Sequence, residues 1–297
     1  RIEGKISPST IIASNTSSLD ITEMATSLKH PNRLIGMHFF SPVNRMPLVE
    51  IIPGEKTDQQ TIDTTMNLAK RLNKTPIIVK NGAGFLVNRV LMPYINESII
   101  VFEEGEDIDK IDNSLTQFGM PLGPLALLDE VGIDIGYKVG KILHKAYKAR
   151  MKPAAIYEKI ITNKTLMGRK TKKGFYIYNN KEKTINNELK NYRSSNNKTL
   201  PKEKLIDRLI LTMINESARC LEENVVKSPG HLDMAMIMGT GFPVFHGGLL
   251  KYADTIGTKI IEDKLNKLKD QYGSRFTPAP LLKDLAKKNN LFYDLEK

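Results

Sequence analysis

The chain has 297 residues, a length that suggests about two domains. Of these residues 40% are hydrophobic and 26% charged, which is enough apolar sequence for a globular core. No apolar run approaches the roughly 18 residues that cross a bilayer, which excludes a transmembrane helix. The formal net charge is +11. The lysines are nevertheless spread along the chain without a nucleic-acid motif, so we expect no nucleic-acid partner. The single cysteine, Cys220, excludes an internal disulfide framework and fits a core position in a helix.

The first predicted elements are a strand, a helix and a second strand. Ile11–Ala13 is a short apolar run that ends in a cluster of hydroxyl residues. Asp20 with Glu23 resembles a helix-opening capping box, and we place the end of that helix at His30, before a proline. Leu34–Met37 is a nearly unbroken apolar run, which is typical of a strand buried on both faces.

The two strands carry the first candidate site. A right-handed crossover makes them parallel, so Ser17 and His38 lie at carboxyl ends and share one crevice, where open α/β sheets bind ligands. After a proline-containing turn, a second apolar run holds a single acid, Glu50. A carboxylate beside the imidazole would orient it and favour its protonated form. A core histidine with a structural acid remains the alternative.

A second unit of strand, helix and strand follows. We predict strands at Leu48–Ile52 and Pro76–Val79, with a helix from Asp58 to Leu72 between them. After Gly82 and Gly84 the apolar spacing is helical for most of the chain, and only residues 175–178 appear extended. The fold class is therefore α/β plus all-α, with a domain boundary near residue 83.

The helical part contains an internal repeat. Residues 88–105 (NRVLMPYINESIIVFEEG) align without gaps on residues 207–224 (DRLILTMINESARCLEEN). Asn88 corresponds to Asp207, and every later residue keeps the same separation from its counterpart. Because INES occurs in both copies, we assign it to packing and capping. We predict a partial nucleotide-binding domain at 1–83 and duplicated helical domains at 84–182 and 199–297, with residues 179–204 as a linker.

Common catalytic motifs are missing. The five histidines are scattered, with no HExxH, CxxC, GxSxG or P-loop pattern, so we predict no metal site. His144 is expected to be an exposed helix residue. His246, in GFPVFHGG, is assigned to packing, with pocket lining as the alternative.

Four segments together resemble the L-3-hydroxyacyl-CoA dehydrogenases of fatty acid β-oxidation: ASNTSSL (13–19), GMHFFSPVNRMPLVEII (36–52), GFLVNRVLMP (84–93) and GRKTKKGFYIY (168–178). With GFPVFHGG and the duplicated helical domain, the chain is most similar to the multifunctional α-subunits of the fatty acid oxidation complex. The resemblance implies a Rossmann-type domain, NAD as cofactor and oxidation of a 3-hydroxyacyl-CoA to a 3-ketoacyl-CoA. It also raises the expectation of an enoyl-CoA hydratase/isomerase domain before the dehydrogenase.

The resemblance implies a role for each matching residue. His38 is the catalytic base and Glu50 its partner acid, while Ser17 and Asn88 hold the substrate oxygen. Ser17 also contacts the cofactor, together with the residues that match at Ser41 and Lys170.

Several features depart from the family pattern. Ser41 stands where many relatives have an asparagine that contacts NAD, and Met238 stands where close bacterial relatives have a tyrosine. No GxGxxG fingerprint precedes residues 13–19, and the chain starts at Arg1, only ten residues before Ile11. We therefore expect a fragment of a longer protein, and weak or no NAD binding by these residues alone.

Three functions follow from these observations. The first is an NAD-dependent 3-hydroxyacyl-CoA dehydrogenase, with a thiolase subunit as a further expected partner. The second is a non-catalytic helical module that binds acyl-CoA or another subunit, and the third is a related dehydrogenase of β-hydroxy acids. The expected compartment is the cytoplasm in a bacterium, or the mitochondrion or peroxisome in a eukaryote.

Overall fold

A computed structural model describes residues 2–180, 182–194 and 199–296. Within these ranges a four-stranded sheet comes first, followed by helices and one small hairpin. The strands are β1 (Ile12–Ser14), β2 (Leu34–Phe39), β3 (Leu48–Pro53), β4 (Thr75–Ile78), β5 (Tyr176–Asn179) and β6 (Glu182–Ile185). The helices are α1 (Ile21–Ala25), α2 (Gln59–Arg71), α3 (Val87–Glu103), α4 (Ile108–Phe118), α5 (Pro124–Val131), α6 (Ile133–Tyr147), α7 (Ile156–Thr162), α8 (Lys202–Glu222), α9 (Pro229–Thr240), α10 (Leu249–Ile256), α11 (Thr258–Tyr272) and α12 (Pro280–Lys288). No helix in the described part of the chain is long and apolar enough to span a bilayer.

The sheet has the strand order β1-β2-β3-β4. β1 pairs with β2 in parallel, as the sequence predicts, and β3 pairs with β4 in parallel. β2 and β3 are antiparallel, because the short turn between them reverses the chain. This register sets His38 directly opposite Glu50.

The two faces of the sheet have different partners. Because side chains alternate along a strand, one face of β2 and β3 packs under α2 in a small cluster formed by Ile35, Met37, Val49, Ile51 and Ala69. The opposite face carries Leu34, Leu48 and Ile52, which belong to the core shared with the helical region. His38 and Glu50 alternate onto this second face, towards the helices.

The first helix is shorter than predicted. Asp20 caps it by accepting a hydrogen bond from the Glu23 backbone N–H at 3.0 Å, which confirms the capping signal. The helix ends at Ala25 rather than near His30. The Thr26 hydroxyl bonds back to the Glu23 carbonyl at 2.7 Å, and such local side-chain bonds compete with helix continuation.

The predicted linker contains regular structure. β6 pairs with β5 in antiparallel register from Tyr176 to Ile185, and Asn187–Tyr192 is a 3-10 helix. The prediction that only residues 175–178 are extended is therefore wrong. The Lys183 ammonium lies 4.3 Å from the Tyr176 ring centroid, a contact that a lysine-rich composition does not reveal. Residues 181 and 195–198 of this segment lie outside the described residues.

The repeat forms a crossed pair of buried contacts. α3 and α8 pack together, and Arg89 of α3 binds Glu216 of α8 with Nε and Oε1 2.7 Å apart. In return, Arg208 of α8 binds Glu97 of α3, again at 2.7 Å. The four residues occupy matching repeat positions, so the glutamate of INES serves packing in both copies.

Buried aspartates are duplicated in the same way. Asp112 and Asp233 each accept hydrogen bonds from two backbone N–H groups at the start of the following helix, α5 and α10 respectively. Asp129 and Asp254 each accept two backbone N–H bonds from a later segment of their own copy. The repetition identifies these carboxylates as structural.

One of these aspartates makes stability depend on pH. Burial raises the pKa of Asp129 to about 6 from an ordinary 3.8, and the nearby Asp112 adds to this effect. An acid with a raised folded-state pKa binds its proton more tightly when folded, so its contribution to stability is lost as pH rises from about 4 to about 6. The difference in pKa corresponds to about 3 kcal/mol.

Asp129→Asn is therefore expected to flatten the fall in unfolding free energy between pH 4 and pH 6, measured by urea unfolding. Asp254→Asn is the matched variant, because burial also raises the pKa of Asp254 but that side chain is less enclosed. We expect its effect on the slope to be smaller. An unchanged pH slope in Asp129→Asn would contradict this account.

Candidate active site

The centre of the site is a buried histidine–glutamate pair. His38 Nδ1 lies 2.7 Å from Glu50 Oε2, and the residues are 6% and 0% exposed. Because a carboxylate accepts this bond, Nδ1 donates it, and Nε2 is the ring nitrogen left open to a substrate. Proton exchange with a substrate therefore falls to Nε2.

The N-terminus of α3 holds the other oxygen of the glutamate. Glu50 Oε1 accepts hydrogen bonds from the backbone N–H groups of Leu86 and Val87, at 3.1 and 2.9 Å. Gly84 has a φ of +74°, a conformation that glycine adopts without strain and that lets the chain turn into the helix. The helix N-terminus stabilises the negative charge of Glu50, so the carboxylate is fixed at both oxygens.

The loop after β1 lies beside this pair. Asn15 Oδ1 accepts a hydrogen bond from the Phe39 backbone N–H at 3.0 Å and so ties the loop to the end of β2. Asn88 Nδ2 donates to the Ser17 carbonyl at 3.4 Å. The structure therefore brings together Ser17, Asn88 and the strand end that carries His38. Asn15 was missed, although its place directly after the first strand was a usable signal.

The other predicted site residues lie further out. Ser41 is exposed in the turn after β2. Lys170 Nζ forms an ion pair with Asp134 in the first turn of α6, and no contact in the described residues joins it to His38.

The second copy of the repeat also reaches the site. Gly239, near the end of α9, lies so close to β3 and α3 that a Cβ there would meet Leu48 at 2.9 Å and Val87 at 3.2 Å. Val87 donates one of the bonds to Glu50, so α9 packs behind the group that holds the carboxylate. The preceding residue, Met238, is partly buried against the core. No sequence pattern predicts this contact.

His246 lies between the two copies rather than at the catalytic pair. Its ring stacks on Phe118 with centroids 4.7 Å apart, and it also contacts Phe245 and Tyr252. Burial lowers its pKa. These contacts support the packing role.

The exposed end of the site suits one end of a dinucleotide. Ser17 and Ser41 are exposed, and they border the strand end that carries the buried His38. The Ser17 and Ser41 hydroxyls would offer hydrogen bonds to a polar ring, next to the loop that Asn15 ties to β2. The residues described here therefore fit the nicotinamide part of NAD.

A sheet with a buried histidine–carboxylate pair at its strand ends, closed by helices, is compatible with the class of nucleotide-binding dehydrogenases. The family model described as "3-hydroxyacyl-CoA dehydrogenase, NAD binding domain" matches residues 1–82, and the model for the C-terminal domain matches residues 84–178 and 205–293. The chain therefore belongs to the 3-hydroxyacyl-CoA dehydrogenase family, which confirms the resemblance and the fold class. The match assigns NAD binding to residues 1–82 and gives no support to the expectation of weak NAD binding.

Relatives with related names cover nearly the whole chain. The fatty acid oxidation complex subunit alpha of Vibrio vulnificus is 44% identical over 99% of this chain, and that of Idiomarina loihiensis is 44% identical over 98%. The chain spans 42% of the length of each of these relatives.

Solved structures agree with the fold. The 3-hydroxybutyryl-CoA dehydrogenase of Escherichia coli superposes with a TM-score of 0.82 over 97% of this chain and 77% of its own, at 23% identity, so it supports the fold alone. The dehydrogenase part of multifunctional enzyme 1 from C. elegans is 32% identical over 95% of this chain and 66% of its own, with a TM-score of 0.67.

Proposed function

We propose that the chain carries out NAD-dependent oxidation of (S)-3-hydroxyacyl-CoA to 3-ketoacyl-CoA in fatty acid β-oxidation. The observation that carries the proposal is the His38–Glu50 pair, buried, hydrogen-bonded at 2.7 Å and placed at a strand end of the sheet. A binding module has no need of a proton-transfer pair fixed in this way. Family membership and the relatives of fatty acid oxidation complexes support the same substrate class.

Each residue of the site has a role in this reaction. His38 takes the hydroxyl proton on Nε2, and Glu50 orients the ring and stabilises the imidazolium that forms. Ser17 and Asn88 hold the substrate oxygen, so that the proton lies in line with His38. When bound, NAD accepts the hydride from C3 of the substrate. We propose Ser17, Ser41 and Lys170 as the contacts to the cofactor.

The domain division is also a proposal, with a nucleotide-binding part at 1–83 and helical parts at 84–182 and 199–297. The limits of the family models, at 82, 84, 178 and 205, support it. A thiolase subunit is the proposed partner, supported by relatives named as subunits of a complex. We propose a cytoplasmic location if the source is a bacterium, supported by bacterial relatives, and otherwise a mitochondrial or peroxisomal one.

The test is the oxidation of NADH by the purified protein in the presence of acetoacetyl-CoA. We expect turnover that depends on the CoA thioester, with acetoacetate itself as the control substrate. Equal turnover of acetoacetate would instead identify a dehydrogenase of free β-hydroxy acids. Binding of acetoacetyl-CoA without turnover would favour the non-catalytic module.

A further inference from the structure

The exposed loop that carries Ser17 is anchored to the rest of the fold by asparagine side chains. At its start, Asn15 accepts a hydrogen bond from the Phe39 backbone N–H at 3.0 Å. In its middle, Asn88 of α3 donates to the Ser17 carbonyl at 3.4 Å, which is long for a hydrogen bond. At its end the loop enters α1, and there a third asparagine, Asn81, holds it.

The Asn81 carboxamide uses both of its ends on the N-terminus of α1. Its Oδ1 accepts a hydrogen bond from the Ile21 backbone N–H at 3.1 Å. Its Nδ2 donates to Asp20 Oδ1 at 2.7 Å and to Thr22 Oγ1 at 3.1 Å. Asp20 is the N-cap of α1, with the same Oδ1 accepting the Glu23 N–H. Asn81 therefore fixes the residues that directly follow the loop.

The chain around Asn81 is itself held by both helical copies. The Lys80 backbone N–H donates to the Val225 carbonyl of the second copy at 2.8 Å. The Tyr147 hydroxyl of the first copy donates to the Ala83 carbonyl at 3.0 Å. The side chain of Asn81 therefore projects from a backbone that is tied on either side of it.

The same stretch of chain also holds the catalytic pair. The backbone N–H groups at the start of α3 bind Glu50, which in turn binds His38. Asn88, one helical residue further on, binds the loop at Ser17. Residues 81–88 therefore support both the imidazole and the loop that lies beside it.

We propose that Asn81 is a positioning residue for the dehydrogenase reaction, and that it keeps Ser17 at the right place relative to His38. The inference rests on the proposed function, in which Ser17 holds the substrate oxygen. Without the anchor at Asn81, the loop would be free to move at the end where it enters α1. A displacement of about 1 Å at a reacting group can cost about 10²-fold in rate.

The test is Asn81→Asp, assayed by NADH oxidation with acetoacetyl-CoA at matched folded fractions. The new carboxylate keeps an acceptor for the Ile21 N–H, but it replaces the donor to Asp20 by a like charge. We expect kcat to fall by about tenfold. KM for acetoacetyl-CoA should change by less than about threefold, because the loop acts on the reacting oxygen rather than on the bulk of the substrate.

A charge exchange tests whether the contact with Asp20 causes this loss. Asp20→Asn combined with Asn81→Asp restores one amide and one carboxylate at the contact, with their positions reversed. Asparagine is as good an N-cap as aspartate, so α1 keeps its cap. We expect kcat of the double variant to return to within about threefold of the wild type.

The matched control is Asn32→Asp. Asn32 Nδ2 donates to Asp58 at 2.7 Å, and Asp58 is the N-cap of α2, so the contact has the same chemistry as that of Asn81 with Asp20. Asn32 precedes β2 and so lies at the end of the strand opposite His38. We expect its variant to lower the urea unfolding midpoint about as much as Asn81→Asp does, and to keep the wild-type kcat.

Three results would overturn the proposal: wild-type kcat in Asn81→Asp, an equal loss of kcat in Asn32→Asp, or no recovery in the double variant. If Asn81→Asp does not fold, Asn81→Ala replaces it, because alanine removes the side-chain bonds without adding a charge. Its kcat is also expected to fall, and a wild-type value would count against the proposal. A wild-type protein without turnover would refute the proposed function and this role with it, whereas wild-type turnover with an unaffected Asn81→Asp would refute the positioning role alone.

Discussion

His38→Ala is expected to lower kcat for the oxidation of NADH with acetoacetyl-CoA by about 10²–10⁴-fold, the usual contribution of a positioned acid or base. KM should change little, because the imidazole acts on the reacting proton rather than on the bulk of the substrate. The assay compares purified variants at matched folded fractions, checked by circular dichroism. His30→Ala is the control, since it removes an exposed histidine at the start of a 3-10 turn.

Glu50→Gln separates the positioning of His38 from its chemistry. The amide keeps one oxygen for the N–H groups of Leu86 and Val87 but loses the charge that stabilises an imidazolium. We expect a kcat loss of about 10–100-fold, smaller than that of His38→Ala. Activity equal to that of the His30→Ala control would remove Glu50 from the mechanism.

Arg89→Met is expected to lower the free energy of unfolding by about 3–5 kcal/mol, because it strips a buried glutamate of its closest partner. The Arg89 side chain is 2% exposed, and it bonds Glu216 at 2.7 Å and Glu223 at 2.8 Å. Its guanidinium also lies 4.3 Å from the centroid of the Tyr147 ring. Urea unfolding measures the change. Arg169→Met, which breaks an exposed ion pair with Glu130, should leave the midpoint nearly unchanged.

A double variant tests whether the ion pair causes this loss. Glu216→Leu removes the acid that Arg89→Met deprives of its closest partner, so the two changes together should cost less than the sum of the single changes. Simple additivity would mean that lost packing, rather than the lost Arg89–Glu216 ion pair, causes the destabilisation.

The centre of the site was predictable because it is encoded locally. A nearly unbroken apolar run places His38 on a buried strand, and a short proline-containing turn returns the chain so that Glu50 lies opposite it. The repeat was visible for a similar reason, since INES recurs without gaps. The second strand of the small hairpin, β6, was missed because lysine and asparagine are depleted in strands, and pairing with β5 outweighs that preference.

The contacts that hold the site residues in place were not predictable from the sequence. The bonds from Leu86 and Val87 to Glu50 depend on how α3 meets the sheet, and the approach of Gly239 joins segments about 190 residues apart in the chain. Such contacts arise from packing between elements, and no local pattern specifies them. The crossed pairing of Arg89 and Arg208 is of the same kind, because the repeat shows which residues match but not which copy each one contacts.

The crossed pairing joins two copies that lie on one polypeptide. In an assembly of identical subunits every substitution appears on both sides of the symmetry axis, so neither side can specialise alone. Because both copies lie on one polypeptide, that restriction is removed. The contact between the copies is also independent of protein concentration, because the connecting chain holds them at a high effective concentration. Asn88 and its counterpart Asp207 illustrate the result: Asn88 donates to the Ser17 carbonyl at the site, whereas Asp207 pairs with Lys264 away from it. Each half keeps the shared framework and is free to differ at single positions.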